Sequence, residues 1–219
     1  MQDTELFPAA ARYVYILTDP ESKDMANFEI LDPQEQTLVS TSVDRRKAEF
    51  GDARWCAHQA LAELGVVGQG PILKGERGMP LWPAGYTGSM THTEGFRAAV
   101  AAPIAKVRSL GIDAEPNGAL PEGVLEQIAR VGELENLQAL HDDCPNLHVD
   151  RLLFCAKEAV YKAWFPMTHR WLGFEDAQVD VRADGTFIAY LLVRPTPVPF
   201  IEGRWAVRGD FIVAATAVL

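Results

Sequence analysis

The sequence has few cysteines and no long apolar run, and both absences narrow the class of protein. Its three cysteines, Cys56, Cys144 and Cys155, are odd in number and show no paired spacing. This argues against a disulfide framework and agrees with a reducing compartment. No run of about eighteen apolar residues occurs, so we predict no membrane span. The N-terminus opens with acidic residues and lacks a secretory pattern, which leads us to expect a cytoplasmic protein.

Basic residues are scarce as well. There are 20 Lys and Arg against 30 Asp and Glu, which gives a formal net charge of −10. Such a charge disfavours general nucleic-acid binding, although a local basic pocket for a phosphorylated small molecule remains open. The chain has no low-complexity tract, and 48% of its 219 residues are hydrophobic, which is ample for a packed core. We expect an enzyme or a binding protein.

Apolar periodicity divides the chain into two halves, each with a helix followed by strands. Residues 43–64 show a helical pattern that Gly65 ends, with an apolar stripe that contains Val43 and Phe50. Helices are also predicted at 121–141 and 150–165, and strands at 13–19, 86–92, 96–103, 107–116, 177–183, 186–193, 203–209 and 210–219. We predict an α+β fold of two similar α/β lobes related by pseudo-twofold symmetry, residues 1–106 and 107–219.

The strand at 107–116 ends in two carboxylates, Asp113 and Glu115. Side chains alternate along a strand, so both acids share one face with Gly111, which leaves room beside them. Two close carboxylates repel unless a cation lies between them, and Mg²⁺ takes such oxygen ligands together with phosphate and water. The alternative is a strand end whose acids face solvent or pair with nearby arginines.

The helix at 150–165 carries a Glu158–Lys162 pair opposite its apolar stripe. The simplest interpretation is a surface ion pair worth about 0.2–0.5 kcal/mol. Three aromatic residues flank that face, however: Phe154, Tyr161 and Phe165. We therefore predict that Glu158 and Lys162 line a partly covered cleft. Lys157 is expected to pack its stem on Trp164 and to keep its charge in water.

A set of basic residues in the first half could bind phosphate. Arg46 falls in the middle of the apolar stripe of the first helix and Arg54 at its edge. A buried arginine needs an anionic partner, and guanidinium groups pair well with phosphate oxygens. His92 and Lys74 could complete such a pocket, whereas a purely structural role is the alternative for the histidine.

One cluster of metal-binding residue types is set aside. Its spacing matches no standard zinc signature, and loop residues without a metal are the better interpretation. Its members are His141, Cys144, His148 and Cys155.

The motifs GIDAE (111–115) and FCAKEAVYKAW (154–164) together resemble the signature of the 4′-phosphopantetheinyl transferases. The chain is similar to the pseudo-dimeric, surfactin-synthetase-activating type and most of all to its actinobacterial members. The similarity extends over most of the chain from RRKAEF (45–50) onward, including PILKGERGMPLWP, GSMTH and RWLGFEDA. The first forty residues add little to it.

The resemblance implies an activity and a set of roles. The family moves the 4′-phosphopantetheine arm of the co-substrate coenzyme A onto a serine of acyl or peptidyl carrier proteins and releases 3′,5′-ADP. A monomer is expected, with coenzyme A contacting both lobes. By resemblance, Mg²⁺, or Mn²⁺ in its place, is bound by Asp113, Glu115 and Glu158. Glu158 is also the candidate base for the serine.

The remaining roles also follow from the resemblance. Lys162 would neutralise phosphate charge and protonate the leaving ADP. Arg46, Arg54 and His92 match positions that hold the 3′-phosphate. The other residues expected to contact coenzyme A are Lys74, Thr91 and Lys157.

Two other functions use the same residues. A Mg²⁺-dependent nucleotide phosphohydrolase would employ the same acids but release a hydrolysed product without a protein acceptor. A non-catalytic module that binds carrier proteins would lack one or more of Asp113, Glu158 and Lys162, and all three are present.

Overall fold

The chain divides inside the strand that carries Asp113 and Glu115. The structure is a computed structural model that describes residues 6–219, and these form two units. The first unit is Ala9–Leu110, and the second unit consists of residues 6–8 and Gly111–Val218. We predicted the boundary between residues 106 and 107.

The first unit combines one long helix with an antiparallel sheet. The strand order of the sheet is β1-β5-β4, and β2 pairs with β3 in a separate hairpin. The hairpin between β4 and β5 closes through Glu94 and Gly95, the latter at a φ of 81° that favours glycine. The elements are β1 (Arg12–Leu17), α1 (Ala26–Glu29), α2 (Pro33–Thr37), α3 (Asp44–Glu63), β2 (Leu73–Lys74), β3 (Pro80–Leu81), β4 (Tyr86–Thr93) and β5 (Phe96–Pro103).

Helix α3 buries its apolar stripe against the sheet, largely as its periodicity predicts. Cys56, Ala57, Ala60 and Leu61 are fully buried and pack with Ile72 and two alanines of β5. Two details of the prediction are wrong. Val43 is the N-terminal cap and is 74% exposed, because the helix begins only at Asp44. Arg46 retains 36% side-chain exposure, whereas Arg54 is the buried arginine.

The second unit packs a long helix on a larger sheet with the order β6-β10-β9-β8-β7. Its α5 and α6 cover one face of that sheet and form one core with it. The elements are β6 (Ser109–Pro116), α4 (Val124–Ile128), α5 (Val131–Asp143), α6 (Val149–Thr168), β7 (Ala177–Val181), β8 (Thr186–Leu191), β9 (Phe200–Arg208) and β10 (Phe211–Val218). The predicted α+β class is confirmed.

The helical segment predicted at 121–141 is interrupted. Ala129 and Arg130 adopt extended backbone angles between α4 and α5. The reason is local, since the Glu133 carboxylate accepts a hydrogen bond from the Arg130 N–H at 2.7 Å and so caps a new helix. Both short helices then pack against the core of the second unit.

Gly111 allows α6 to approach β6 closely. A Cβ added at residue 111 would lie 1.9 Å from the carbonyl oxygen of Ala159 and 2.6 Å from Oγ1 of Thr216. The Thr216 hydroxyl also donates to the Ala159 carbonyl at 3.2 Å. Only glycine therefore fits where the acidic strand passes the helix that carries Glu158 and Lys162.

Replacing Gly111 with alanine should lower the free energy of unfolding by about 3 kcal/mol, because the backbone of α6 must shift to admit the methyl group. Urea denaturation measures this. Gly118→Ala is the matched control, since a Cβ there meets nothing within 4 Å. Equal midpoints for the two variants would contradict the packing argument.

The structure also describes the cysteines and the apolar character of the helices. Cys56, Cys144 and Cys155 are all free thiols. Among residues 6–219, no helix combines the length and the apolar character needed to cross a membrane.

Candidate functional site

The acidic end of β6 binds a lysine of α6. Lys162 Nζ donates to Asp113 Oδ1 at 2.7 Å, and the Asp113 side chain is only 8% exposed. The close packing at Gly111 fixes these two elements relative to one another. The structure therefore brings together Asp113 and Lys162, two of the predicted catalytic residues.

Glu115 pairs with an arginine, which is the alternative stated above for the acids of this strand end. Arg151, at the start of α6, donates from Nη1 to Glu115 Oε2 at 3.0 Å. The same guanidinium donates to the carbonyls of Gly118 and Ala119. Arg151 thus holds Glu115 beside the loop that follows β6.

The three acids influence one another electrostatically. Burial, followed by the charge of Asp113, raises the pKa of Glu115, against the opposing effect of Arg151. Burial and then Asp113 likewise raise the pKa of Glu158, while Lys162 lowers it. Each carboxylate therefore lies in the field of the others, an arrangement that a cation would stabilise.

The three carboxylates do not converge as we expected. In the part of the chain that the structure describes, no three His, Cys, Asp or Glu side chains are grouped so that they could hold a metal ion. The physical reason is that Asp113 and Glu115 each bind a basic side chain, Lys162 and Arg151. The chemistry of the donors still fits Mg²⁺, because they are carboxylate oxygens that repel one another.

A cavity of about 200 Å³ lies beside Glu158 in the second unit. Tyr161 contacts Trp171 with ring centroids 5.1 Å apart, and Phe174 contacts Phe154 at 5.9 Å. The lining also includes Leu172 and Gly173. The cavity is thus mainly apolar, with the charged side chains of Lys157, Glu158 and Glu175 also in its lining. Of the two residues predicted to line a partly covered cleft, Glu158 lines this cavity and Lys162 does not.

Lys157 occupies an unexpected environment. Its ammonium group forms an ion pair with Glu133 at 2.9 Å and also donates to three backbone carbonyls. Its side chain is 2% exposed, so the prediction that its charge lies in water is wrong. Lys157 lines the cavity beside Glu158, and direct contact with coenzyme A stays a prediction.

The first unit gathers the predicted basic residues. The guanidinium of Arg54 lies over the Phe50 ring at 4.7 Å and Lys74 Nζ over the same ring at 5.5 Å. Burial lowers the pKa of Lys74, and the charges of Arg46 and Arg54 lower it further. These three residues, which we call the cation cluster, therefore lie within electrostatic range of one another.

His92 contacts the cation cluster. Thr91, the residue before it in β4, points to the opposite face of the strand. Arg46 Nη1 lies 2.8 Å from His92 Nε2, and because a guanidinium can only donate, that ring nitrogen accepts. Met90, on the same face, accepts from Arg54 Nη1 through its sulfur at 3.0 Å. Thr91 is buried on the opposite face, so its role toward coenzyme A stays a prediction.

Sequence reasoning missed a buried acid next to the cation cluster. Glu35 of α2 has no exposed surface, and its Oε1 lies 3.6 Å from Arg54 Nε. Burial lowers the pKa of Arg54 to about 10, with Glu35 opposing this effect and Arg46 adding to it. The anionic partner that a buried arginine needs is therefore present within the protein.

His58 binds the same acid, and its surroundings favour the charged form of the ring. Nε2 lies 3.0 Å from Glu35 Oε2, and Nδ1 lies 2.7 Å from Gln69 Oε1. The Gln69 amide nitrogen donates to the carbonyls of His58 and Val66, which fixes its oxygen toward the ring. Both ring nitrogens therefore face acceptors. Burial lowers the pKa of His58, but the hydrogen bonds to Glu35 and Gln69 outweigh it and the net shift is upward.

This arrangement predicts a pH-dependent stability. A raised pKa in the folded state means that the contribution of His58 is complete below its unfolded pKa of about 6.5 and is lost as the pH rises through the folded value. Urea denaturation at pH 6 and pH 9 should show that His58→Gln removes a pH-dependent difference on the order of 1 kcal/mol. The exposed His141→Gln variant should keep the wild-type difference; a His58→Gln profile parallel to the wild type would refute the prediction.

Comparison with known proteins defines the class. A family model described as the 4′-phosphopantetheinyl transferase N-terminal domain matches residues 34–102. A second model, for the 4′-phosphopantetheinyl transferase superfamily, matches residues 109–216. The two matches cover the first unit from α2 onward and nearly all of the second. They define the chain as a transferase of this superfamily.

Curated relatives agree over most of the chain. It is 48% identical to the 4′-phosphopantetheinyl transferase Npt of Nocardia iowensis, over 84% of this chain and 88% of the relative. It is 46% identical to Svp of Streptomyces mobaraensis, over 97% of this chain and 87% of the relative. Identity to PptT of Mycobacterium tuberculosis is 45%, over 84% of each. The chain belongs to the 4′-phosphopantetheinyl transferases, and the resemblance stated from the sequence motifs is confirmed.

Proposed function

We propose that the protein transfers the 4′-phosphopantetheine group of coenzyme A to a serine hydroxyl of an acyl or peptidyl carrier protein and releases 3′,5′-ADP. Family membership supports the class of reaction. The observation that carries the assignment of residues is the coupling of Asp113, Glu115 and Glu158 with Lys162 in the second unit.

Glu158 and Lys162 supply the proton transfers. Glu158 accepts the proton of the serine hydroxyl as the oxygen forms its bond to the phosphorus of the phosphopantetheine group. The bond from that phosphorus to the bridging oxygen breaks, and the electron pair leaves with 3′,5′-ADP. Lys162 stabilises the charge that develops on the leaving oxygen and donates a proton to it. The raised pKa of Glu158 strengthens it as a base.

Asp113, Glu115 and Glu158 would hold Mg²⁺, or Mn²⁺ in its place. When bound, the ion would neutralise charge on the pyrophosphate of coenzyme A. In the structure Lys162 and Arg151 form ion pairs with Asp113 and Glu115, so the ion would replace these two side chains as the partner of the acids.

The cavity of the second unit and the cation cluster of the first unit each suit one part of coenzyme A. The pantetheine arm is a narrow chain with apolar segments, which suits a cavity of about 200 Å³ lined by Tyr161, Trp171 and Phe174. Arg46, Arg54 and His92, with Lys74, bind the 3′-phosphate. Three cations within mutual electrostatic range support an anionic ligand there.

The deciding assay is the intact mass of an apo carrier protein after incubation with the protein, coenzyme A and Mg²⁺. We expect a phosphopantetheine adduct on one serine, and no adduct when Asp113→Ala replaces the wild type at equal concentration. Absence of an adduct from the wild type, or an unchanged rate for Asp113→Ala, would refute the proposal. Hydrolysis of coenzyme A without any acceptor would instead support the phosphohydrolase.

A further inference from the structure

Glu35 is a fully buried carboxylate of α2 that binds two other segments of the first unit. It accepts a hydrogen bond from the Ile72 N–H at 3.1 Å and lies 3.0 Å from His58 Nε2 and 3.6 Å from Arg54 Nε. Burying a carboxylate is unfavourable unless it is paired and hydrogen-bonded. Glu35 therefore joins α2, α3 and the segment that leads into β2.

The Glu35 contact is one of several that restrain the Arg54 side chain. The side chain is 6% exposed, with Nε toward Glu35, Nη1 donating to the Met90 sulfur at 3.0 Å and the guanidinium plane over Phe50. A long side chain held at several points has little rotational freedom to lose when it binds a ligand. Glu35 supplies the only carboxylate that ion-pairs with Arg54 within residues 6–219.

Glu35 also restrains the backbone that carries Lys74. Its hydrogen bond to the Ile72 N–H fixes the chain two residues before Lys74, whose ammonium lies over the same Phe50 ring as Arg54. One buried acid thus fixes two members of the cation cluster, one through an ion pair and one through the backbone.

We propose that Glu35 is a positioning residue for coenzyme A, which sets the geometry of Arg54 and Lys74 toward the 3′-phosphate. The inference rests on the proposed function, which assigns the 3′-phosphate to the cation cluster. Glu35 does not touch the substrate; its effect is on recognition of that phosphate and leaves the chemical step unchanged.

The test compares coenzyme A with 3′-dephospho-coenzyme A, using calorimetric Kd values and the KM and kcat of transfer. Glu35→Gln keeps the shape and an acceptor for the Ile72 N–H. We expect it to weaken coenzyme A binding about tenfold, equivalent to about 1.4 kcal/mol, with kcat and the Kd of the dephospho compound unchanged. Asp52→Asn removes another buried acid of the same unit, one bonded to Asn27, and should keep wild-type discrimination.

Discrimination here means the ratio of the Kd values for 3′-dephospho-coenzyme A and coenzyme A. The direction in which Glu35→Gln changes this ratio shows whether Glu35 acts by positioning the cations or only by its negative charge. Removing a negative charge without loss of geometry would strengthen phosphate binding, so equal or increased discrimination in Glu35→Gln overturns the inference. Glu35→Asp keeps the charge but withdraws the carboxylate, and should also weaken discrimination. If neither variant folds, as judged by circular dichroism, Glu35 is a folding residue and the inference is overturned.

The wild-type measurements separate this inference from the proposed function. A wild type that discriminates between the two compounds, together with variants that discriminate equally well, refutes only the role of Glu35. A wild type that binds both compounds equally refutes the assignment of the 3′-phosphate to the cation cluster, and the positioning role with it. Failure to modify a carrier protein refutes the proposed function itself.

Discussion

Replacing Glu158 with glutamine should lower the rate of phosphopantetheine transfer by about 10²- to 10⁴-fold, the usual effect of losing a general base. Glutamine preserves the volume of the side chain and its place beside the cavity, but it cannot accept the serine proton. The pKa of Glu158 is raised by burial and by Asp113, so the carboxylate is a stronger base than an exposed glutamate. Initial rates from the intact mass of the carrier protein measure the loss.

The matched control is Glu135→Gln, an exposed glutamate of α5 in the same unit. It makes the same chemical change and should keep the wild-type rate. Calorimetry with coenzyme A, without added divalent metal, should show that Glu158→Gln still binds the co-substrate, which separates loss of the base from loss of folding. A Glu158→Gln rate within about threefold of the wild type would be too small a change for a general base and would exclude that role.

Local sequence signals predicted β6 and α6 of the second unit well. The residues of β6 and α6 lie close to one another along the chain or at helical spacing, so alternation and periodicity place Asp113, Glu158 and Lys162 correctly on their elements. The apolar stripe of α6 is fully buried from Leu152 to Trp164. Both elements are long and strongly patterned, and such elements are the easiest to recognise.

The charged residues whose surroundings were not predicted have partners that are distant in the sequence. Glu35 stands in a polar segment, DPQEQT, that looks like a surface turn, and its partners Arg54, His58 and Ile72 come from other elements. Helices α1 and α2 are too short to show periodicity, and they depend on such contacts. Charge alone suggested that Lys157 faces water, because nothing near it in sequence reveals Glu133. These features arise from tertiary packing, which a single sequence does not display.

Removing one partner of the buried ion pair between Glu133 and Lys157 should therefore be among the most destabilising single substitutions in the second unit. Glu133 is 1% exposed, and its two oxygens accept from the N–H groups of Arg130 and Val179. Glu133→Gln leaves the Lys157 ammonium buried without its carboxylate. We expect it to lower the free energy of unfolding by about 3–5 kcal/mol, measured by urea denaturation.

A double-mutant cycle isolates the pair. Lys157→Met should be similarly destabilising, because it leaves the Glu133 charge buried, and the double variant should lose much less than the sum of the two single losses. Arg182→Gln breaks an exposed pair with Asp180 in the same unit and should change stability by about 0–1 kcal/mol. Additive losses in the cycle would show that the two charges stabilise the fold independently. Coupling would mean that the wall of the cavity beside Glu158 depends on a charge pair 24 residues apart in the sequence.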